Sequence, residues 1–353
     1  MSHPDVCIAG AGIIGLSLAL ELHSRGARVT VFDQGEPLAE ASTAAAGMLA
    51  ADDPENPREL QELSHLSIAL YPNYLDRLLE LGDLLVPFHT GTTLQGLGSH
   101  HRKESRGQTV LADATLAQMV PELRPAGQRF ILLSENSLNP RELAVALLAA
   151  VRSTPIDLQT HSPVRVARSG STGVEIHAGD EKAIFAGNFV DCTGAWAFTP
   201  TIPSHLRVSP RKGQMLAVAK PPSLPQVVIR TPDIYIVPRT VAPEQAKLVI
   251  GATVEDAGFD KAIHREDIAR LRSLASELLP SLAEAEEVET WAGLRPTTSD
   301  SLPLLGAVSK NHFVATGHYR NGILLAPATA RVMSQLLAGE QVSADLSAFS
   351  PFR

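Results

Sequence analysis

Apolar and polar positions change period several times along the chain, and each change predicts an element. Val6–Ala9 is a short run of β-branched and small residues and reads as a buried strand. Ile13, Ile14, Leu16, Leu18, Ala19 and Leu22 then recur at helical spacing up to Gly26, and Arg28–Asp33 returns to a strand that ends in a carboxylate. Arg58–Leu85 has the pattern of a long helix with Leu60, Leu63, Leu66, Ile68, Leu75, Leu78 and Leu79 inward, and Pro72 is expected to break or kink it. Phe88–Leu97 turns β-like, Thr115–Val120 suits a short helix and Arg129–Leu133 a strand. Asn139-Pro140 opens a helix, with Asn139 as N-cap and Pro140 in its first position.

Ile156–Thr160 and Val164–Val166 read as strands, Gly173–Ala178 with Lys182–Phe185 as a hairpin, and Phe189–Gly194 as an apolar strand ending in Thr-Gly. Gln214–Val218, Val227–Ile229, Ile234–Val237 and Lys247–Gly251 are separated by proline and lysine loops and fit an antiparallel sheet. Arg265–Leu279 is a helix with Ile268, Leu271, Leu274 and Leu278 on one face, and Val288–Leu294 is the next strand. The chain closes on a strand at Phe313–Thr316, a polar turn at Gly317–Asn321 and a helix over Gly322–Leu337, where Pro327 is tolerable only near the start. The order predicts an α/β fold, a Rossmann-like βαβ domain with an antiparallel β-rich domain inserted into it.

At 353 residues the chain is long enough for about two domains, and its 44% hydrophobic and 19% charged content is that of a soluble globular protein. A net charge of −8 without a long basic run argues against nucleic acid or a membrane surface as partner. No apolar run is long enough to span a bilayer, and MSHPDV lacks a signal peptide's basic start, so a cytoplasmic location is expected. Cys7 and Cys192, the two cysteines, sit in strand-like contexts and read as buried thiols. His100 and His101, among Arg102, Lys103 and Arg106, lack a third ligand at sensible spacing and read as a solvated loop, so no metal site is expected.

Gly10, Gly12 and Gly15 fall at G-x-G-x-x-G spacing between the first strand and helix. Gly10 allows the tight turn, Gly12 lets backbone touch phosphate oxygens, and Gly15 lets helix and strand close up. Asp33 stands where a carboxylate accepts from ribose hydroxyls and would repel a 2′-phosphate, which favours FAD or NAD over NADP. An ordinary glycine-rich βα turn shows the same spacing. The small residues of EASTAAAGMLA permit close approach to a flat ligand, with Ser42 and Thr43 able to bond phosphates; an alanine-rich helix capped by Ser42 or Thr43 fits equally well. Ligands of doubly wound folds lie beyond the strand ends, which turns Gly194, Ala195 and Trp196 toward the cofactor, with Thr193 beside them.

GAGIIG at 10–15, STAAAGML at 42–49, CTGAW at 192–196, KGQML at 212–216, YIVPR at 235–239, WAGLRP at 291–296 and GHYRNGILLAPAT at 317–329 together resemble the FAD-dependent amine and amino-acid oxidases of the D-amino-acid oxidase type. Within them the chain is most similar to the glycine oxidases of thiamine biosynthesis. The resemblance implies non-covalent FAD, since related sarcosine oxidases attach flavin through a C-terminal cysteine and none occurs here after Cys192. It implies Ile13 and Ile14 at the pyrophosphate, Asp33 and Gln34 at the ribose, and Ser42 and Thr43 at the phosphates. Ala46, Gly47 and Met48 would lie near the isoalloxazine, Met48 also facing substrate, and Val164 at the adenine. His318, Tyr319, Arg320, Asn321, Gly322, Ile323 and Leu324 would wrap the flavin pyrimidine, where a helix N-terminus suits the negative charge of the reduced ring.

Arg295 and Arg320 are the implied carboxylate anchors, with Tyr235 adding a phenolic hydrogen bond; a guanidinium fork matches a carboxylate in a dry pocket. Arg211 and Lys212 keep a structural reading, and His318 that of a turn residue rather than a base. The implied domains are residues 1–85, 135–205 and 296–353 for FAD and 86–134 and 206–295 for substrate. The implied reaction is oxidative deamination of glycine and other small amines or D-amino acids. The Cα hydride goes to FAD and dioxygen becomes hydrogen peroxide, while glyoxylate or another keto acid and ammonia are released toward thiamine thiazole synthesis. Relatives suggest a homo-oligomer. Alternatives are a D-amino acid dehydrogenase with another electron acceptor, a sarcosine oxidase-like enzyme, a tRNA-modifying flavoprotein domain, which should show a basic face or a fused methyltransferase, and a bare nucleotide-binding module, which has no need of the arginine pair.

Overall fold

The computed structural model describes residues 3–98, 109–179, 183–197, 201–222, 224 and 226–353; His100, His101 and Lys182 of the predicted hairpin lie outside them. The first part of the chain forms β1 (Val6–Ala9), α1 (Ile13–Ser24), β2 (Val29–Phe32), α2 (Ala41–Ala44), α3 (Gln61–Gly82), β3 (Phe88–Thr90), β4 (Thr93–Leu97), α4 (Asp113–Met119), β5 (Arg129–Leu133), β6 (Ser137–Leu138) and α5 (Pro140–Arg152). It continues as β7 (Asp157–Gln159), β8 (Val164–Ser169), β9 (Val174–Ala178), β10 (Ile184–Ala186), β11 (Asn188–Asp191), β12 (Ser209–Ala219), β13 (Val228–Arg230), β14 (Tyr235–Pro238), β15 (Lys247–Gly251), α6 (Arg265–Leu278), β16 (Glu287–Thr297), β17 (Leu304–Ser309), β18 (His312–Thr316) and α7 (Gly322–Leu337).

Two sheets dominate. A six-stranded sheet has the order β17-β18-β11-β1-β2-β7 and is parallel except for β17. Helix α1 is buried on nearly every side because α5 and α7 pack against it, so its apolar residues need no polar face. A seven-stranded sheet has the order β16-β12-β15-β14-β13-β4-β5. It departs from the antiparallel expectation at one pair, since β4 and β13 run parallel. The two strands are far apart in sequence, so no hairpin dictates their relative sense. Cys7 and Cys192 are free buried thiols, and burial pushes Cys7 up to about 12. No helix among the described residues is long and apolar enough to cross a membrane.

Both helical prolines sit inside unbroken helices, and the structure shows how. Of the break or kink expected at Pro72, the break does not occur: α3 continues through it. Pro327 lies in α7 and cannot donate to the Ile323 carbonyl one turn earlier. The Tyr71 hydroxyl of α3 takes over, donating to Ile323 O at 2.5 Å. The Ser67 hydroxyl donates to Leu324 O at 2.6 Å and accepts from Ala328 N at 3.2 Å, bridging the next turn. Buried backbone groups therefore stay paired, and α3 fixes the start of α7. Leu79, expected inward, is 38% exposed, because α3 turns that edge to solvent. At Asn139 the helix start is as expected, its side chain accepting from Arg141 N.

Candidate active site

Beyond the carboxyl ends of β1, β2, β11 and β18 lies a cavity of about 380 Å³ that reaches across to the large sheet. Gly10, Gly12, Ile13, Ile14, Asp33, Gln34, Ser42, Ala46, Gly47, Met48, Val164, Thr193, Gly194, Trp196, Tyr235, Arg295, His318, Tyr319, Arg320, Asn321, Gly322 and Ile323 all line it. Gly15, Thr43 and Leu324 do not. Gly15 is pressed under the turn, where a Cβ would lie 1.9 Å from Gly10 O. The Thr43 hydroxyl donates to Leu38 O at 3.0 Å, and Leu324 is buried in the α7 core.

The glycines also show what the cavity is shaped for. Gly10 has φ +98° and its Cβ would strike Cys192 O at 2.4 Å, so the protein itself requires glycine there. Gly12 is different. Its Cβ would meet only Ser42 Oγ at 3.4 Å, and the space a side chain would fill is the cavity at the α1 N-terminus. Such a bare helix start suits a pyrophosphate. Ser42 is not an N-cap of its own helix, as one reading had it, because α2 begins at Ala41 with Glu40 before it. Its hydroxyl instead accepts from Ile13 N at 2.9 Å, so the backbone at the start of α1 and the small-residue strip are tied together. The Asp33 carboxylate accepts from Ala11 N at 2.6 Å and Gly35 N at 2.8 Å, which holds it at the cavity edge. These features fit a flavin dinucleotide.

Small residues bring the strip onto the large sheet. Gly213 and Gly293 face each other across β12 and β16. A Cβ on Gly293 would meet Ala44 Cβ at 2.5 Å, and one on Gly213 would meet the Arg295 guanidinium at 2.3 Å. Trp291 Nε1 donates to Ala44 O at 3.0 Å. Arg295 therefore lies flat over Gly213, with Nη1 donating to Thr253 O at 3.1 Å and Lys212 O at 3.4 Å. It has no carboxylate partner among the described residues. Burial raises the Tyr235 phenol above its ordinary range, and the neighbouring Arg295 charge and hydrogen bond hold part of that rise back.

Arg320 differs from its expected twin. It donates to Asp53 Oδ2 at 3.0 Å and Asn56 Oδ1 at 3.2 Å, so its charge is already met. Asp53 is buried and also lies 3.5 Å from the buried Arg230, which pairs with Glu135 at 3.0 Å. Burial raises the Glu135 carboxyl, against the pull of Arg230. Arg230, Asp53 and Glu135 were absent from the sequence reading. An arginine closing the apolar strand VVIR was the available signal, since buried arginines come paired. His318 is buried, bonds Thr329 Oγ1 at 3.0 Å through Nε2, and burial drops its pKa to about 3, which leaves it neutral.

The family described as DAO, FAD dependent oxidoreductase, matches residues 5–336. A bifunctional protein ThiO/ThiG of Trichormus variabilis is 36% identical over 98% of this chain, which spans only 54% of that relative's length. A glycine oxidase of Geobacillus kaustophilus is 32% identical over 98% of this chain and 96% of its own. The crystal structure of glycine oxidase from Geobacillus kaustophilus superposes with a TM-score of 0.91 at 31% identity, covering 100% of this chain and 99% of that one. Match and superposition both take in the cavity walls from the first glycine turn to the start of α7, and the chain belongs to the DAO family of FAD-dependent oxidoreductases.

Proposed function

We propose that the protein oxidises glycine and other small amines or D-amino acids, with dioxygen as final acceptor. The observation that carries this reading is Arg295, a cavity-wall guanidinium without a carboxylate partner among the described residues, while Arg230 and Arg320 each have one. A substrate carboxylate supplies what Arg295 lacks, two oxygens matched to a planar fork. Tyr235 completes that contact, and Met48 faces the same space. Arg320 assists from the far side, its charge balanced by Asp53 so that a small substrate does not meet two bare cations.

When bound, FAD would supply a two-electron acceptor for the Cα hydride, with dioxygen reduced to hydrogen peroxide as the overall oxidant. The chain's task is to hold substrate with Cα–H toward that acceptor and to keep the pocket dry. His318 orients the turn before α7 and is uncharged, bonded to Thr329, so it is given no base role. The start of α7, with its free amides, faces the cavity from Gly322 and Ile323, placed to favour negative charge. The released imino acid hydrolyses to keto acid and ammonia, so glycine, dioxygen and water give glyoxylate, ammonia and peroxide. We assign FAD to residues 1–85, 135–205 and 296–353 and substrate to 86–134 and 206–295, with the product entering thiamine thiazole synthesis. Peroxide release from glycine, sarcosine, D-alanine and D-proline tests the reading. Turnover with a dye but not with dioxygen would make it a dehydrogenase, and no turnover of any of the four would overturn it.

A further inference from the structure

Arg295 is aimed by two backbone carbonyls, those of Thr253 and Lys212. Both belong to a short ladder that continues the pairing with β12 past the end of β15. Lys212 and Glu255 exchange paired backbone bonds, each 3.0 Å, and Gln214 N donates to Thr253 Oγ1 at 2.7 Å. The ladder is fastened on its far face. Gly213 and Met215 line the cavity, so Lys212 and Gln214 between them point the other way. The Lys212 side chain is fully buried, and its Nζ has no hydrogen-bond partner among the described residues. Glu255 is its counter-charge at 3.4 Å. The same carboxylate accepts from Gln214 Nε2 at 2.9 Å and from the Thr253 hydroxyl.

We propose that Glu255 is a positioning residue for carboxylate recognition: it neutralises the buried Lys212 ammonium behind the sheet and so fixes the two carbonyls that orient Arg295. This rests on the reading of Arg295 as substrate anchor. Without the Glu255 charge the ammonium is left buried with no counter-charge within 4 Å among the described residues. The ladder must then open to water or shift, and the Thr253 and Lys212 carbonyls shift with it. Lys212 is excluded from touching substrate by facing away from the cavity, so the effect passes through Arg295 alone. Burial works to raise the Glu255 carboxyl, yet the Thr253 hydroxyl, the Gln214 amide and Lys212 hold it below the ordinary range, so the charge is present at neutral pH.

The test uses flavin-loaded wild type, Glu255→Gln, Glu255→Asp, Arg295→Ala and the Glu255→Gln/Arg295→Ala double variant. Amino-acid kinetics are measured together with acetate affinity from perturbation of the flavin spectrum. In Glu255→Gln, KM and the acetate Kd should rise about tenfold or more while kcat stays within about threefold and flavin content is unchanged. Glu255→Asp should recover most of the loss. On the Arg295→Ala background the same substitution should add nothing, because its route is gone. An unchanged acetate Kd, or an equal loss on both backgrounds, would overturn the proposal. If Glu255→Gln does not accumulate, the residual loss in Glu255→Asp, about two- to threefold in acetate Kd, should vanish on the Arg295→Ala background; no loss, or the same loss on both backgrounds, would overturn the proposal. Wild type that binds acetate yet oxidises no amino acid would defeat the proposed function and leave this inference to its own readout.

Discussion

The two ends of the cavity are built in different ways. At the nucleotide end, consecutive backbone does the work: Gly10, Gly12 and Ile13 turn from β1 into α1, and Asp33 closes β2 one strand away. At the end we assign to substrate, side chains converge from segments remote in sequence. Tyr235 comes from β14, Arg295 from β16, Arg320 from the turn before α7, and Asp53 from the loop before α3. The first kind of site tolerates few changes in backbone shape. The second depends on which charges meet, as Arg295 and Arg320 show: both are guanidiniums in one cavity, and among the described residues only Arg320 of the two has a carboxylate partner.

The largest expected effect tests that asymmetry. Arg295→Ala should lose about 3–5 kcal/mol in kcat/KM on glycine, with flavin content unchanged, since the substrate charge is left under-compensated in a dry pocket. Lysine at 295 should recover part of it, because a point charge cannot reproduce the fork. Arg320→Ala should cost less, about 1–2 kcal/mol, because Asp53 still has Arg230. Equal losses for the two alanine variants in steady-state kinetics would erase the distinction between paired and unpaired arginines.

At the nucleotide end, Gly12→Val should weaken FAD binding by about 2–3 kcal/mol through the phosphates and leave the apoprotein's melting within about 0.5 kcal/mol of wild type. Gly10→Ala should lower the stability of the apoprotein itself, since its Cβ meets Cys192 O. Thermal melts of apoprotein and flavin titrations separate the two; equal apoprotein stabilities would mean that the glycines serve one purpose. Asp33→Ala should reduce FAD affinity by about 1–3 kcal/mol, part of it from freeing the Ala11 and Gly35 amides, and full flavin occupancy on dilution would remove Asp33 from the ribose.

The last effect appears only below neutral pH, at the turn between the two ends of the cavity. His318 has its folded pKa lowered to about 3, against an unfolded value of about 6.5. The unfolded chain therefore binds more protons through that window, so the contribution is whole above about 6.5 and is lost as pH falls toward 3. Melting of wild type should drop across this range more steeply than that of His318→Gln, which keeps a polar contact to Thr329 but does not titrate. Parallel pH profiles for the two proteins would show that His318 is not buried neutral.

Sequence alone determined the nucleotide end, the helix start at Asn139-Pro140 and the order of strands that makes an α/β fold with a second sheet. Turn, cap and periodicity act over a few residues, and their requirements are written next to one another. Tertiary structure decided the rest. It made Ser42 a partner of Ile13 rather than a cap, and it let Tyr71 and Ser67 of α3 repair α7 around Pro327. It gave Arg320 to Asp53, left Arg295 over Gly213, and placed Glu255 behind it. A charge in a sequence carries no mark of its counter-charge. That pairing is set by the packing of sheets and helices, where an unmet buried charge costs more than any local preference can offset.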